Sequence, residues 1–473
     1  MNKKLILLAV PFLSLSLISC GGGENPTPAD ETDPEYYSKI SERVAYEEDS
    51  DLSFDDEITN GLDDKVWETL DGYWENGGTT PHNGVRRRNL FYTKDDKGNG
   101  YLAMKARGRY NEDEELQGKP EGACIETINN LGPGRYEVYM AAMPRDGGVS
   151  ALWTYNCPTG SEELSQYEID IEIGGGAQFE NLWCTSWTTK TNKATYAPSV
   201  TNTCYMNDGK IHKYTFDWYT DYLSSGEGRV DWFIDGNYLT SIKGGTVTDT
   251  AMPVWLGIWL PSWAGNSLFT EDYLLIDRVS YKAFATDSQT YTETRSHTTY
   301  SPKKPSESKI QTIEMSKITG LNKLSNGDCE KFAEFKKDDY YGWQKYTGYN
   351  GTLEQSDECV EGNHSFKLTA LSDNKKDAAY VYQEIECAYQ GFKFDLSFDA
   401  KAEDEDTKAF VWVWESTYGG ATQIRQTKIN LDSTEFKSYG CQIEMAEKSG
   451  NLRIFMAVTK GSALFDNFYL IKK

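Results

Sequence analysis

The residues most able to do chemistry lie in one short run, Tyr167-Glu168-Ile169-Asp170-Ile171-Glu172-Ile173. On a β-strand alternate side chains share a face, so Glu168, Asp170 and Glu172 point one way and the isoleucines the other. Three acids side by side repel one another and are costly on an ordinary solvated face. Four strand steps place the two glutamate Cα atoms roughly 13 Å apart. If each side chain leans inward by about 4 Å, the carboxyl groups come within roughly 5 Å, the separation of a retaining glycosidase pair. One carboxylate then attacks an anomeric carbon while the other protonates the leaving oxygen. A third acid between them can share a proton and separate the two pKa values.

The elements needed to hold that strand are visible around it. From residue 51 to 285, short β-like runs alternate with Gly, Asn and Asp turn clusters, and no long helical periodicity interrupts them. Asp235-Gly236 between two such runs marks a tight hairpin. Residues 286–320 form a linker, since 13 of the 23 residues from 286 to 308 are Ser, Thr or Pro. A second strand-rich segment occupies 321–473. The expected fold class is all-β, a jelly-roll sandwich followed by a second, smaller β-sandwich.

The blocks around the acids resemble glycoside hydrolase family 16 over roughly residues 52–284. Gly134-Arg135-Tyr136-Glu137-Val138 and Gly148–Tyr155 precede the Glu-x-Asp-x-Glu run. His212–Trp218, Trp232–Gly236 and Gly257-Ile258-Trp259 follow it in the family's order. The resemblance implies Glu168 as nucleophile, Asp170 as its helper and Glu172 as acid/base, with no cofactor for catalysis. The run lacks the extra residue that laminarinase-type members carry before the last glutamate, which points to the lichenase-like branch and an endo-acting β-1,3-1,4-glucanase. Two positions depart from that branch: Ile128 stands where it has Arg, and Gln166 where it has Trp. Xyloglucan- or galactan-active enzymes and transglycosylases of the family stay open, as does a non-catalytic glycan-binding lipoprotein.

Sugar faces stack on aromatic rings, and the resemblance places Trp153, Tyr155, Trp187, Trp259 and Trp263 in the cleft, with Glu126 as a further substrate contact. Arg86-Arg87-Arg88 would suit an anionic sugar or a structural role equally. The C-terminal segment resembles carbohydrate-binding modules of the family 4, 9 and 22 jelly-roll type, from Asn326–Glu330 through Phe394–Ala402 to Ala463–Phe468. That resemblance makes Tyr340, Trp343, Trp412 and Trp414 candidate sugar platforms and Glu330 and Asp466 candidate ligands of a structural calcium.

The chain of 473 residues opens as an address. Lys3 and Lys4 precede an apolar run of about 14 residues, too short to span a bilayer. Leu17-Ile18-Ser19-Cys20 resembles a bacterial lipobox, implying cleavage after residue 19 and lipidation of Cys20. Residues 20–50 read as an acidic tether. The expected location is the bacterial outer membrane or cell surface, with the membrane touched only through the lipid. A net charge of −25 disfavours nucleic acid as a partner, leaving a polysaccharide substrate and an expected monomer. The four histidines are scattered singly, and the eight cysteines after Cys20 form no CxxC, so neither a His-based nucleophile triad nor a zinc site is indicated.

Overall fold

The structure is a computed structural model describing residues 46–72, 84–111, 119–156, 166–176, 182–189, 191–197, 206–222, 225–285, 310–386, 388–417, 420 and 422–473. Cys20, the signal segment, almost all of the tether and residues 286–309 lie outside the described residues. Those described form two β-sandwiches, four sheets in all, with little helix. No helix among them is long and apolar enough to cross a membrane.

The sheet that carries the acids has seven strands: Trp67–Thr69 (β1), Ala123–Thr127 (β2), Val149–Asn156 (β3), Tyr167–Gly174 (β4), Leu182–Trp187 (β5), Lys193–Tyr196 (β6) and Val254–Trp259 (β7). Their order is β6-β5-β4-β3-β7-β2-β1, with every pairing antiparallel. One face covers the core shared with a nine-stranded back sheet. Ile125, Leu152, Ile169, Ile171, Ile173, Leu256 and Ile258 point into it and meet Tyr136, Val138, Tyr214, Phe216 and Trp232 of the back sheet. The strict alternation of strand β4 is thus fixed by burial, because a one-residue slip would put three acids into this core.

The hairpin expected at Asp235-Gly236 joins Arg229–Ile234 to Asn237–Lys243, with Ile234 opposite Asn237. Both turn residues have positive φ, 51° and 79°, as the primed turns require. The end of the expected linker is part of the fold. Gln311–Thr312 pairs in parallel with Phe91-Tyr92, and Ile318 of the short helix Met315–Thr319 is buried against Ala103 and Tyr273.

The second sandwich packs a six-stranded sheet on a five-stranded one. The six strands are Asp339–Tyr340 (β8), Trp343–Lys345 (β9), Ala379–Glu386 (β10), Lys408–Thr417 (β11), Gln423–Asn430 (β12) and Ser449–Lys460 (β13), ordered β8-β9-β10-β13-β11-β12. Direct contacts fix this sandwich to the first. Asp272 pairs with Arg145 at 2.8 Å and with Lys323 at 3.0 Å, all three largely buried. The Tyr110 hydroxyl donates to Asp339 at 2.6 Å, and that of Tyr389 to Asn207 at 2.7 Å.

Candidate active site

The register across the sheet shows what surrounds each acid. Glu168 lies between Trp187 and Tyr155, Asp170 between Thr185 and Trp153, and Glu172 between Trp183 and Ala151. Beyond Ala151 the same row continues through Gly257 to Cys124. These small residues leave a shallow trough beside Glu172. Gly257 is required there, since a Cβ would come within 2.6 Å of the Ala123 carbonyl oxygen. The neighbouring row is bulky: Trp153 and Trp255 pack at 5.6 Å, then come Glu126 and Glu68. On the other flank Trp263 is 51% exposed and meets Trp259 and Trp183 edge-on at 5.7 and 5.8 Å. The open face is therefore a groove running across the strands, with an aromatic wall on each side.

The groove sets the protonation of its acids. Burial raises the Glu168 carboxyl to about 7; hydrogen bonds from Gln166 (2.5 Å) and Asp170, with the nearby Lys193 charge, hold it from rising further. Burial, and then the charges of Glu168 and Glu172, push Asp170 well above the carboxylate range. Asp170 thus keeps its proton and donates it to the Glu168 carboxylate, while Trp187 Nε1 donates to Asp170 Oδ2 at 3.0 Å. The Trp232 indole, from the back sheet, donates to the Asp170 carbonyl at 3.0 Å and anchors the strand from beneath. Burial and the Glu168 charge raise Glu172 to about 8, again with Lys193 opposing. Near neutral pH this arrangement favours an ionised Glu168 facing a protonated Glu172, the two states that nucleophile and acid need.

The other expected residues divide by environment. Tyr155, Trp187, Trp259 and Trp263 stay at least partly open along the groove, whereas Trp153 is largely covered by its neighbours. Trp187 has a second part, because its indole holds Asp170. Glu126 is 3% exposed; burial and then its neighbour Glu68 raise it to about 8, so its own carboxyl holds a proton near neutral pH at the far end of the groove. The arginine run is structural: Arg88 pairs with the buried Glu121 at 2.9 Å, Arg86 with Asp71 at 3.2 Å, and Arg87 donates to Thr69.

Two further site residues escaped the sequence. Lys193 lies 4.1 Å from the Trp187 ring centre, opposite it on β6, and its charge acts on both Glu168 and Glu172. Glu68 alternates with the core residue Trp67, which was its only sequence signal.

In the second sandwich, Trp412 and Trp414 share the open face of the six-stranded sheet with Tyr380, Tyr382 and Phe455. Trp343 belongs elsewhere. It is 0% exposed, packs on Phe468 at 5.0 Å and donates its indole to the Asn326 carbonyl, so it is core and no sugar platform. Tyr340 is half-buried, lies against Phe332 and donates to Glu334. Glu330 and Asp466 do not fit a calcium site. Glu330 Oε1 accepts from the Asn363 and His364 amides, and Asp466 Oδ2 from the Val360 amide at 2.8 Å. N–H donors pointing at a carboxylate repel a cation, and these two acids instead pin the 358–364 loop. Among the described residues no group of three or more His, Cys, Asp or Glu side chains could hold a metal ion.

The sequence profile of Glycosyl hydrolases family 16 matches residues 88–273, the segment that contains the acid strand and its groove. That segment is a family 16 domain. The chain is accordingly a glycoside hydrolase acting on O-glycosyl bonds. A beta-glucanase of Paenibacillus polymyxa is 26% identical over 206 residues, covering 42% of this chain and 75% of that protein. A beta-glucanase of Paenibacillus macerans is 27% identical over 206 residues, covering 42% and 76%. Among solved structures, a lichenase derived from a mouse hindgut metagenome aligns with 21% identity over 49% of this chain and 98% of its own, at a TM-score of 0.38.

Proposed function

We propose that the family 16 domain is an endo-acting, retaining β-glucanase whose substrate is β-1,3-1,4-glucan. The observation that carries this reading is the arrangement of Glu168 and Glu172, four residues apart on one strand in an open groove, with Asp170 keeping its proton between them. The Glu168 carboxylate attacks the anomeric carbon as the glycosidic C–O bond breaks, and Glu172 gives its proton to the departing oxygen. This leaves a glycosyl ester on Glu168. Glu172, now a carboxylate, takes a proton from water, whose oxygen attacks the same carbon and releases Glu168. Two inversions give net retention. Asp170 orients Glu168 through its hydrogen bond and limits the charge in the groove. The substrate assignment rests on the two beta-glucanase relatives and on a groove open across the whole sheet, as an internal cut in a polymer requires.

In this reading the Trp412/Trp414 face gives the chain a second hold on glycan, and Cys20 carries the lipid that tethers a monomer to the bacterial surface. Reducing-end release from lichenan, laminarin, xyloglucan, agarose and a keratan-type galactan tests the substrate, with lichenan expected to be cut into short oligosaccharides. Cleavage of xyloglucan or a galactan alone would replace it. External azide tests the roles: with Glu168→Ala it should yield the α-glycosyl azide, and with Glu172→Ala the β-anomer. Full activity in either variant would overturn the assignment.

A further inference from the structure

Between the two sandwiches lies a cavity of about 190 Å³ whose walls come from both. On the catalytic side they include Asp146, Asn266 and Leu268. The Asn266 amide donates to Asp146 Oδ2 at 2.9 Å, and a Cβ on Gly176 or Gly265 would come within 2.5 or 2.3 Å of Asp146 Oδ1. Asp146 therefore clamps the loop carrying Trp263 against the end of strand β4, which bears the acids. The front of that loop is the groove's aromatic wall, and its far end, three residues on at Asn266, lines the cavity.

The opposite wall includes Gln344 and Glu384. The Tyr382 hydroxyl donates to Gln344 at 2.9 Å, and Glu384 accepts from Asn451 at 2.8 Å and Arg453 at 3.0 Å. Tyr382 stacks on Phe455 at 5.2 Å, and Phe455 leads to Trp414 at 5.6 Å. The cavity thus lies where the flank of the groove meets the aromatic face. Of its wall charges, Arg145 is paired with Asp272, Asp146 accepts the Asn266 amide and Glu384 is paired with Arg453, which suits a neutral ligand rich in hydroxyls better than an ion. Amides and carboxylates beside apolar side chains, here Leu268 and Phe269, are what a sugar ring needs.

The geometry points to a saccharide subsite at this seam, built jointly by both sandwiches and taking a unit of the same neutral β-glycan that occupies the groove. This rests on the glycan-cleaving reading and adds to it a binding position that neither sandwich completes alone. The contacts of Asp272 with Arg145 and Lys323, and of Tyr110 with Asp339, hold the walls at a set distance. A polymer engaged in the groove then meets the seam at high effective concentration.

The test uses the full chain with Asn266→Trp, which plugs the cavity from an exposed position whose described bond is through the backbone, and with Gln344→Ala. On lichenan polymer, KM is expected to rise about five- to tenfold for Asn266→Trp and less for Gln344→Ala. The kcat, and turnover of an aryl β-glucan trisaccharide too short to reach the seam, should stay within twofold. Unchanged polymer KM in both variants, with the trisaccharide still cleaved, overturns the seam and leaves the groove assignment standing. An equal loss on polymer and trisaccharide also overturns it. If the wild type cleaves none of the panel, the glycanase reading fails separately, and affinity electrophoresis in gels containing each polysaccharide decides the seam. Retardation that Asn266→Trp abolishes supports it; retardation unchanged by the plug, or none with any glycan, sinks it.

Discussion

Each sandwich shows one sheet face lined with aromatic rings over an apolar core, but the two faces treat their carboxylates differently. On the second face Glu384 is bonded to Arg453 and Asn451, and Lys428 sits over Phe410 at 3.7 Å from the ring centre. Glu384 is thus neutralised by a partner of opposite charge. In the groove, three acids stand side by side with Lys193 as the nearby cation, and burial raises every one of them. A carboxylate paired with arginine holds its charge and its position, which suits binding. Carboxyls crowded together in a desolvated groove must share protons, which suits proton transfer at neutral pH. Similar aromatic faces thus differ in whether their acids are paired with a cation or crowded together.

That contrast can be broken most severely at the acids. Glu168→Gln is expected to lower kcat by more than about 10³-fold, and Glu172→Gln by about 10² to 10⁴-fold, with little change in melting temperature, as steady-state rates and thermal scans would show. Glu384→Gln should leave kcat untouched. Next in size is the contact that holds the two faces together. Burial alone would raise Asp272, yet Lys323 and Arg145 outweigh it and hold the carboxyl at about 2. Its folded-state pKa is depressed, so its contribution is complete above the ordinary carboxylate range and is lost as pH falls toward 2. Asp272→Asn leaves two buried cations unpaired and is expected to cost about 3–5 kcal/mol, measurable by denaturant unfolding at pH 7.

A smaller effect is expected on the aromatic face of the second sandwich. Trp412→Ala or Trp414→Ala should raise KM for polymer several-fold, about 0.5–1.5 kcal/mol per lost ring contact, without altering kcat on a short substrate. Equal losses on both substrates would mean that the faces are not separate in function. The finest distinction concerns Lys193. Activity should rise as Glu168 loses its proton near pH 7 and fall as Glu172 loses its own near pH 8. The Lys193 charge holds both below where burial would put them, so Lys193→Met should move both limbs of the kcat/KM profile to higher pH. Lys193→Arg should restore them. An unmoved profile in Lys193→Met would confine Lys193 to packing on Trp187.

Much of the groove was legible because it depends on period two. The alternation from Tyr167 to Ile173 placed the acids on one face and the isoleucines in the core without knowledge of any partner strand. Trp412 and Trp414 were legible for the same reason. Trp343 was not, because an aromatic ring suits either side of a strand, and only Phe468 and the Asn326 carbonyl show which side it took. Glu330 and Asp466 look like cation ligands until the amides of the 358–364 loop are seen to point at them. Lys193 and Glu68 were illegible because each matters through a neighbour across a strand pairing.

The sequence by itself determined the all-β class, the face on which Glu168, Asp170 and Glu172 stand, and the order of blocks that resembles family 16. These follow from local alternation and turn chemistry, which need no distant contact. Only the tertiary structure decided which acid keeps its proton, which rings stay open and how the two faces meet. Those outcomes depend on burial and on charges brought by strands far away in the chain: Trp232 reaches Asp170 from 62 residues on, and Lys323 reaches Asp272 across 51.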